Sequence, residues 1–119
     1  MITLCSVNDR AHWRGLVFGT TMKPLKGEGI EDNLDFLAPT QALVYGHKYH
    51  GQSDEWYIIR YKRLLVTRWK AEVKPWLDSL DAQQDITLLC YCPKGKFCHR
   101  QLIAQMIAKW RPDIELMLY

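Results

Sequence analysis

The densest chemistry in the chain lies in one run, Leu88-Leu-Cys-Tyr-Cys-Pro-Lys-Gly-Lys-Phe-Cys-His-Arg100. Three of the four cysteines, Cys90, Cys92 and Cys98, fall within nine residues, and His99 and Arg100 directly follow the last. The run reads as a buried strand, a turn at Pro93 and Gly95, and a helix from about Cys98. A thiol at a helix start, beside cationic neighbours, is held below its ordinary pKa and is more available as thiolate. Three chemistries fit. Cys98 can act as a nucleophile assisted by His99 or Arg100. Alternatively, the unpaired N–H groups of the helix start, with Lys94, Gly95 and Lys96, can hold an anion while Cys98 merely packs. A metal held by Cys90, Cys92, Cys98 and His99 is the third. Structural zinc favours Cys-x₂₋₄-Cys pairs, and Cys-x-Cys on a strand is a poor match, so no cofactor is expected. Free cysteines are commonly buried, so Cys5 and Cys90 read as small core residues.

The elements around this run must position it. Ile86 to Tyr91 is continuous and β-rich, as in a strand buried on both faces. The following helix runs to Trp110, with Leu102, Ile103, Met106, Ile107 and Trp110 facing the core, and Ile114 to Leu118 forms a last strand. Such a βαβ unit predicts a small, three-layer α/β fold with a parallel or mostly parallel sheet flanked by helices. Ile2–Val7 and Leu16–Gly19 are further strands, and residues 22–36 read as a loop. Thr40 caps a short helix from Gln41 to about His50, ending at Gly51. Ser53 caps a long one, with Asp54 and Glu55 in its first turn. At 100° per residue its apolar side gathers Ile58, Tyr61, Leu65, Val66, Trp69 and Val73. Arg60, Arg63, Lys70 and Lys74 gather opposite, and Pro75 interrupts the helix. His47 and His50 read as surface groups that nothing local brings to the cysteines.

One domain is expected from 119 residues, and 48% apolar content with 12% aromatics excludes a disordered chain. No apolar run approaches the length of a membrane span, and the N-terminus lacks the pattern of a signal peptide. A cytoplasmic protein with reduced thiols is the expectation. The net charge of +3 conceals blocks. Residues 56–76 and 94–111 each sum to +5, whereas 22–55 and 77–93 each sum to −3. The surface is therefore polarised.

The pairing of Leu88-Leu-Cys-Tyr with Phe97-Cys-His-Arg100 resembles family 488 of the domains of unknown function, whose members show a strand cysteine followed by Cys-His-Arg. Leu37-Ala-Pro-Thr40 and Tyr57-Ile-Ile-Arg-Tyr-Lys-Arg-Leu-Leu65 are similar to that family's tyrosine-arginine helix region. The likeness covers roughly residues 35–110. It implies an α/β fold and picks out Cys90, Cys98, His99, Arg100, Arg60 and Tyr61. Cys92 stands where relatives carry an acid.

The leading functional reading is a basic, cysteine-containing anion site that binds or processes a phosphate-bearing ligand such as a nucleotide. Cys98, His99 and Arg100 are its catalytic candidates, and Arg60, Tyr61, Arg63, Cys92, Lys94, Gly95 and Lys96 its ligand contacts. Arginine suits phosphate because its planar fork can bind two oxygens at once. The second reading is a nucleic-acid-binding module using the basic helix face. The third is a non-catalytic protein that sequesters a partner.

Overall fold

A computed structural model describes residues 1–119. Five strands, β1 (Ile2–Ser6), β2 (Leu16–Gly19), β3 (Asp32–Asn33), β4 (Ile86–Cys90) and β5 (Leu116–Leu118), form one sheet. Their order is β3-β2-β4-β1-β5 and every pairing is parallel. Four α-helices accompany them: α1 (Gln41–Tyr49), α2 (Asp54–Thr67), α3 (Lys74–Ser79) and α4 (His99–Trp110). This is the parallel α/β architecture the sequence predicts.

The register pairs Ile2 with Ile86 and Leu4 with Leu88. Alternation along the strands sends these four side chains to one face. There they meet Leu43 of α1, Tyr61 and Leu65 of α2, Leu77 of α3, and Ile103 and Ile107 of α4 in the main core. Cys5, Val17 and Leu89 point to the other face and pack with Leu25, Trp13 and Ile30. The third layer is thus loop and a single 3₁₀ turn at Arg10–His12 rather than helix. Ile103 is fully buried at the centre of the main core. Ile103→Ala is expected to cost about 2–5 kcal/mol, measured by urea unfolding, because little around it can collapse into the void.

The segment read as a loop over 22–36 contains β3 and a 3₁₀ turn at Asp35–Leu37. Two residues of strand carry no readable periodicity. Asn33 holds the segment together instead. Its Nδ2 donates to Thr21 O (3.1 Å) and Asp35 Oδ1 (2.7 Å), and its Oδ1 accepts from the Thr21 and Leu25 amides. A Cβ at Gly19 would lie 2.3 Å from that Oδ1, so only glycine fits there.

Thr40 and Ser53 cap α1 and α2 by accepting from Leu43 N and Trp56 N. Beyond α2 the helix does not break at Pro75. It widens into a π turn over Trp69–Val73, and Pro75 sits in the first turn of α3. The wide turn takes up the missing N–H and the ring's clash with the preceding carbonyls. It also inserts a residue, so counting 100° steps fails past Arg68. The basic face expected from Arg60, Arg63, Lys70 and Lys74 accordingly divides. Arg60 and Arg63 line a groove against α1, whereas Lys70 lines a second groove with Lys62 and Lys109. Lys74 pairs with Asp78 at 2.7 Å. Val66 and Trp110, expected in the core, are 72% and 51% exposed. Trp110 instead packs on Trp69 at the mouth of the second groove, centroids 4.9 Å apart.

Candidate functional site

From β2 the chain continues to β3 at one edge of the sheet, and from β4 it continues through α4 to β5 at the other. The connections therefore part between β2 and β4, at the carboxyl ends of the strands, the usual ligand position in an open parallel sheet. Cys90 is the last residue of β4 and Cys98 the cap of α4. The loop between them folds Cys92 back, so that the three sulfurs lie mutually within 4.8 Å. Cys92 is beyond the strand, and the spacing argument made for a Cys-x-Cys on a strand does not apply to it. Cys90 and Cys98 are buried and Cys92 is partly exposed.

Arg100 organises the centre. It is only 1% exposed. Its Nη1 donates to Cys90 Sγ at 2.7 Å and to Cys92 O at 3.0 Å. Nη2 donates to Pro93 O and Nε to Tyr119 O, both at 3.0 Å. No aspartate or glutamate side chain pairs with it. A buried guanidinium requires a negative partner, and the sulfur of Cys90 is the side-chain group in place to be one. The neighbouring Cys92 and Cys98 thiols, then the Arg100 charge and its hydrogen bond, hold the Cys90 thiol far below its ordinary range against the opposing effect of burial. The proximity of Cys90 and Cys92 pushes Cys98 upward, as does its burial. The thiolate expected at Cys98 is thus at Cys90, which the sequence reads as plain core. A strand position alone does not reveal that an arginine ten residues later reaches back to it.

His99 is buried and its pKa is lowered by that burial, so the ring is neutral. Its Nε2 donates to Thr20 O (2.7 Å) and approaches Thr20 Oγ1 (3.1 Å), which itself donates to Leu89 O. That leaves Nδ1 unprotonated, 3.3 Å from Cys98 Sγ. Tyr61 packs edge-on against His99, centroids 5.7 Å apart, and donates its hydroxyl to Leu37 O. It is a wall of the centre rather than a ligand contact.

Lys94, Gly95 and Lys96 are exposed on the loop that joins Cys92 to Cys98, the Lys94 ammonium lies 6.0 Å from the centroid of the Tyr119 ring, and no acid lies between residues 91 and 98. Arg60 and Arg63 are not brought there. The Arg60 guanidinium lies over the Trp56 ring, 4.6 Å from its centroid, in the α1–α2 groove, which no cysteine lines.

The family match spans residues 3–111, to the family described as the active DUF488-N3 subclade, DUF488-N3a. The chain belongs to DUF488-N3a. The match takes in residues 3–30, which the motif resemblance does not reach. No curated protein and no solved structure matches the chain.

In this DUF488-N3a chain the N-terminal region adds Thr20, which fixes His99, and β1, whose Cys5 carbonyl lies 3.8 Å from Cys90 Sγ. His47, read as a surface group remote from the cysteines, packs on Phe97 of the cysteine loop, centroids 5.2 Å apart, and bonds Asp54 at 2.6 Å. Phe97 in turn meets Tyr57 edge-on at 5.4 Å. This aromatic contact ties α1 and α2 to the cysteine loop. The centre can hold a thiolate against a buried cation, shuttle a proton among three sulfurs and one imidazole, and offer sulfur ligands to a soft metal.

Proposed function

We propose that the edge between β2 and β4 binds or processes an anionic, phosphate-bearing compound such as a nucleotide. What supports this reading is the acid-free loop, with Lys94 and Lys96 exposed, that joins the members of the three-cysteine cluster at the parallel sheet's switch point. Lys94, Gly95 and Lys96 contact the ligand, and Cys92 presents the one partly exposed sulfur of the centre. Cys98, His99 and Arg100 act as positioning residues that set where the proton sits. The description of the subclade as active favours thiol chemistry on the ligand over passive holding. Four free cysteines suit a reducing compartment, which for this chain we take to be the cytoplasm. No helix is long and apolar enough to cross a membrane.

Calorimetry of the reduced protein against nucleoside mono-, di- and triphosphates at low salt tests the proposal. At least one is expected to bind, and Lys94→Ala with Lys96→Ala should weaken it by about tenfold per lysine. Silence across the panel, or affinity indifferent to both lysines, would reject it.

A second reading rests on the stacked Arg60–Trp56 pair with Arg63 in an open groove of about 310 Å³. Stacking planes next to cations suit a nucleic acid strand. Its mark is a single-stranded DNA or RNA affinity that falls steeply with salt and drops in Arg60→Ala.

A further inference from the structure

We propose that Cys90, Cys92 and Cys98 are the three sulfur ligands of a thiophilic divalent cation, Zn²⁺ in the first instance, with a fourth position open beside Cys92. The inference stands independently of the ligand reading above.

The three sulfurs lie within 4.8 Å of one another. Around tetrahedral zinc with bonds of about 2.3 Å, neighbouring sulfurs sit about 3.8 Å apart, so side-chain adjustments of an ångström or less complete the set. Two of the three are anchored on regular structure, at the end of β4 and the start of α4. The third lies on the loop that joins them, which can close on an ion without disturbing the sheet.

Charge balance argues the same way. Three thiolates and one divalent cation carry −1 together, which matches the single positive charge of buried Arg100, already 2.7 Å from Cys90 Sγ. Binding releases the thiol protons to solvent and leaves Arg100 partnered throughout. Arg100 becomes the outer partner that donates to a ligand sulfur, a role ligand sets commonly need. His99 stands beside Cys98 with its ring fixed by Thr20 and is not one of the mutually close trio. Three protein ligands with an open fourth position is the arrangement of catalytic rather than structural zinc. The open position falls on the side of Cys92, the partly exposed member of the trio. Soft thiolates select zinc-like ions over Mg²⁺ or Ca²⁺.

The test uses the full chain, reduced with a phosphine and stripped with a chelator, without nucleotide. Titration with Zn²⁺, and with Cd²⁺ followed by thiolate–metal charge-transfer absorbance, is expected to saturate at one ion per chain. X-ray absorption of the zinc form should count three sulfurs and one lighter ligand. Outer partners of metal ligands are themselves worth about 10- to 100-fold in affinity, so Cys92→Ser should weaken binding by at least about 100-fold. Cys92 is partly exposed, so this variant keeps the core, and Cys5→Ser should bind as the wild type does. No stoichiometric binding, a sulfur count other than three, or unchanged affinity in Cys92→Ser would overturn the proposal. Nucleotide binding with no metal binding would reject it and spare the ligand reading, and the reverse would do the opposite.

Discussion

Arg100→Met is expected to destabilise the protein by about 3–5 kcal/mol in urea unfolding, the usual cost of breaking a buried charge pair from one side. Methionine keeps most of the apolar stem and removes the guanidinium. The carbonyls of Cys92, Pro93 and Tyr119 then lose their donor. Water has little access, because the arginine is 1% exposed where it stands. Cys90 loses its cation and must take up a proton. The converse variant, Cys90→Val, leaves the buried guanidinium facing main-chain oxygens without the sulfur, and it too should cost several kcal/mol. Because each single change strands the other partner, the two should not add. The Arg100→Met/Cys90→Val double variant is expected to cost less than the sum by about 1–3 kcal/mol. Strict additivity, or a loss below about 1 kcal/mol for Arg100→Met, would contradict the pairing.

The second large effect is on pH dependence in the metal-free protein. Cys90 is held below its unfolded value, so between the two values the unfolded chain binds a proton that the native chain does not. Its stabilisation is full above about pH 8.5, the ordinary thiol value, and is lost as pH falls toward the folded value. Stability should therefore rise from about pH 6.5 toward about pH 7.5 at about 1.4 kcal/mol per unit, the slope for one proton. Below about pH 6.5, buried neutral His99 acts in the same direction, because the unfolded imidazole takes up a proton that the native one refuses. As pH approaches the ordinary thiol value the sign reverses, since Cys5, Cys92 and Cys98 keep protons that unfolded thiols lose. Denaturant unfolding across this range should show a maximum near about pH 8, and Cys90→Val should flatten the rise up to it. A wild-type profile already flat between about pH 6.5 and 7.5 would refute the assignment.

Much of the fold was legible because it rests on local signals. Ile86–Cys90 is apolar at every step but Thr87, and the apolar periodicity of α4 begins where Cys98 caps it. Thr40 and Ser53 cap where hydroxyl side chains before helical runs should. The clustering of Cys90, Cys92 and Cys98 was visible in spacing alone. Three things were not. The π turn before Pro75 depends on how one proline is accommodated, and it moved Lys70 off the face of Arg60 and Arg63. The third layer came out as loop because the cover of Cys5 and Leu89 is supplied by isolated residues such as Trp13 and Leu25, which carry no period. The charge on Cys90 depends on Arg100 folding back onto β4, a tertiary contact that outweighs the helix-start argument favouring Cys98. Neighbours in space, not in sequence, decide which thiol is ionised. The same reason hid His47, which meets Phe97 only once α1 docks beside the cysteine loop.

The claim on which the rest depends is that Arg100 faces a thiolate. Ultraviolet absorbance of the reduced, chelator-treated wild-type chain at about pH 6.5, two units below an ordinary thiol, measures it directly. One thiolate per chain at that pH, disappearing on denaturation, is the predicted result. No thiolate signal until the pH approaches about 8.5 would show that the buried arginine is balanced otherwise, and the account of the centre would fail.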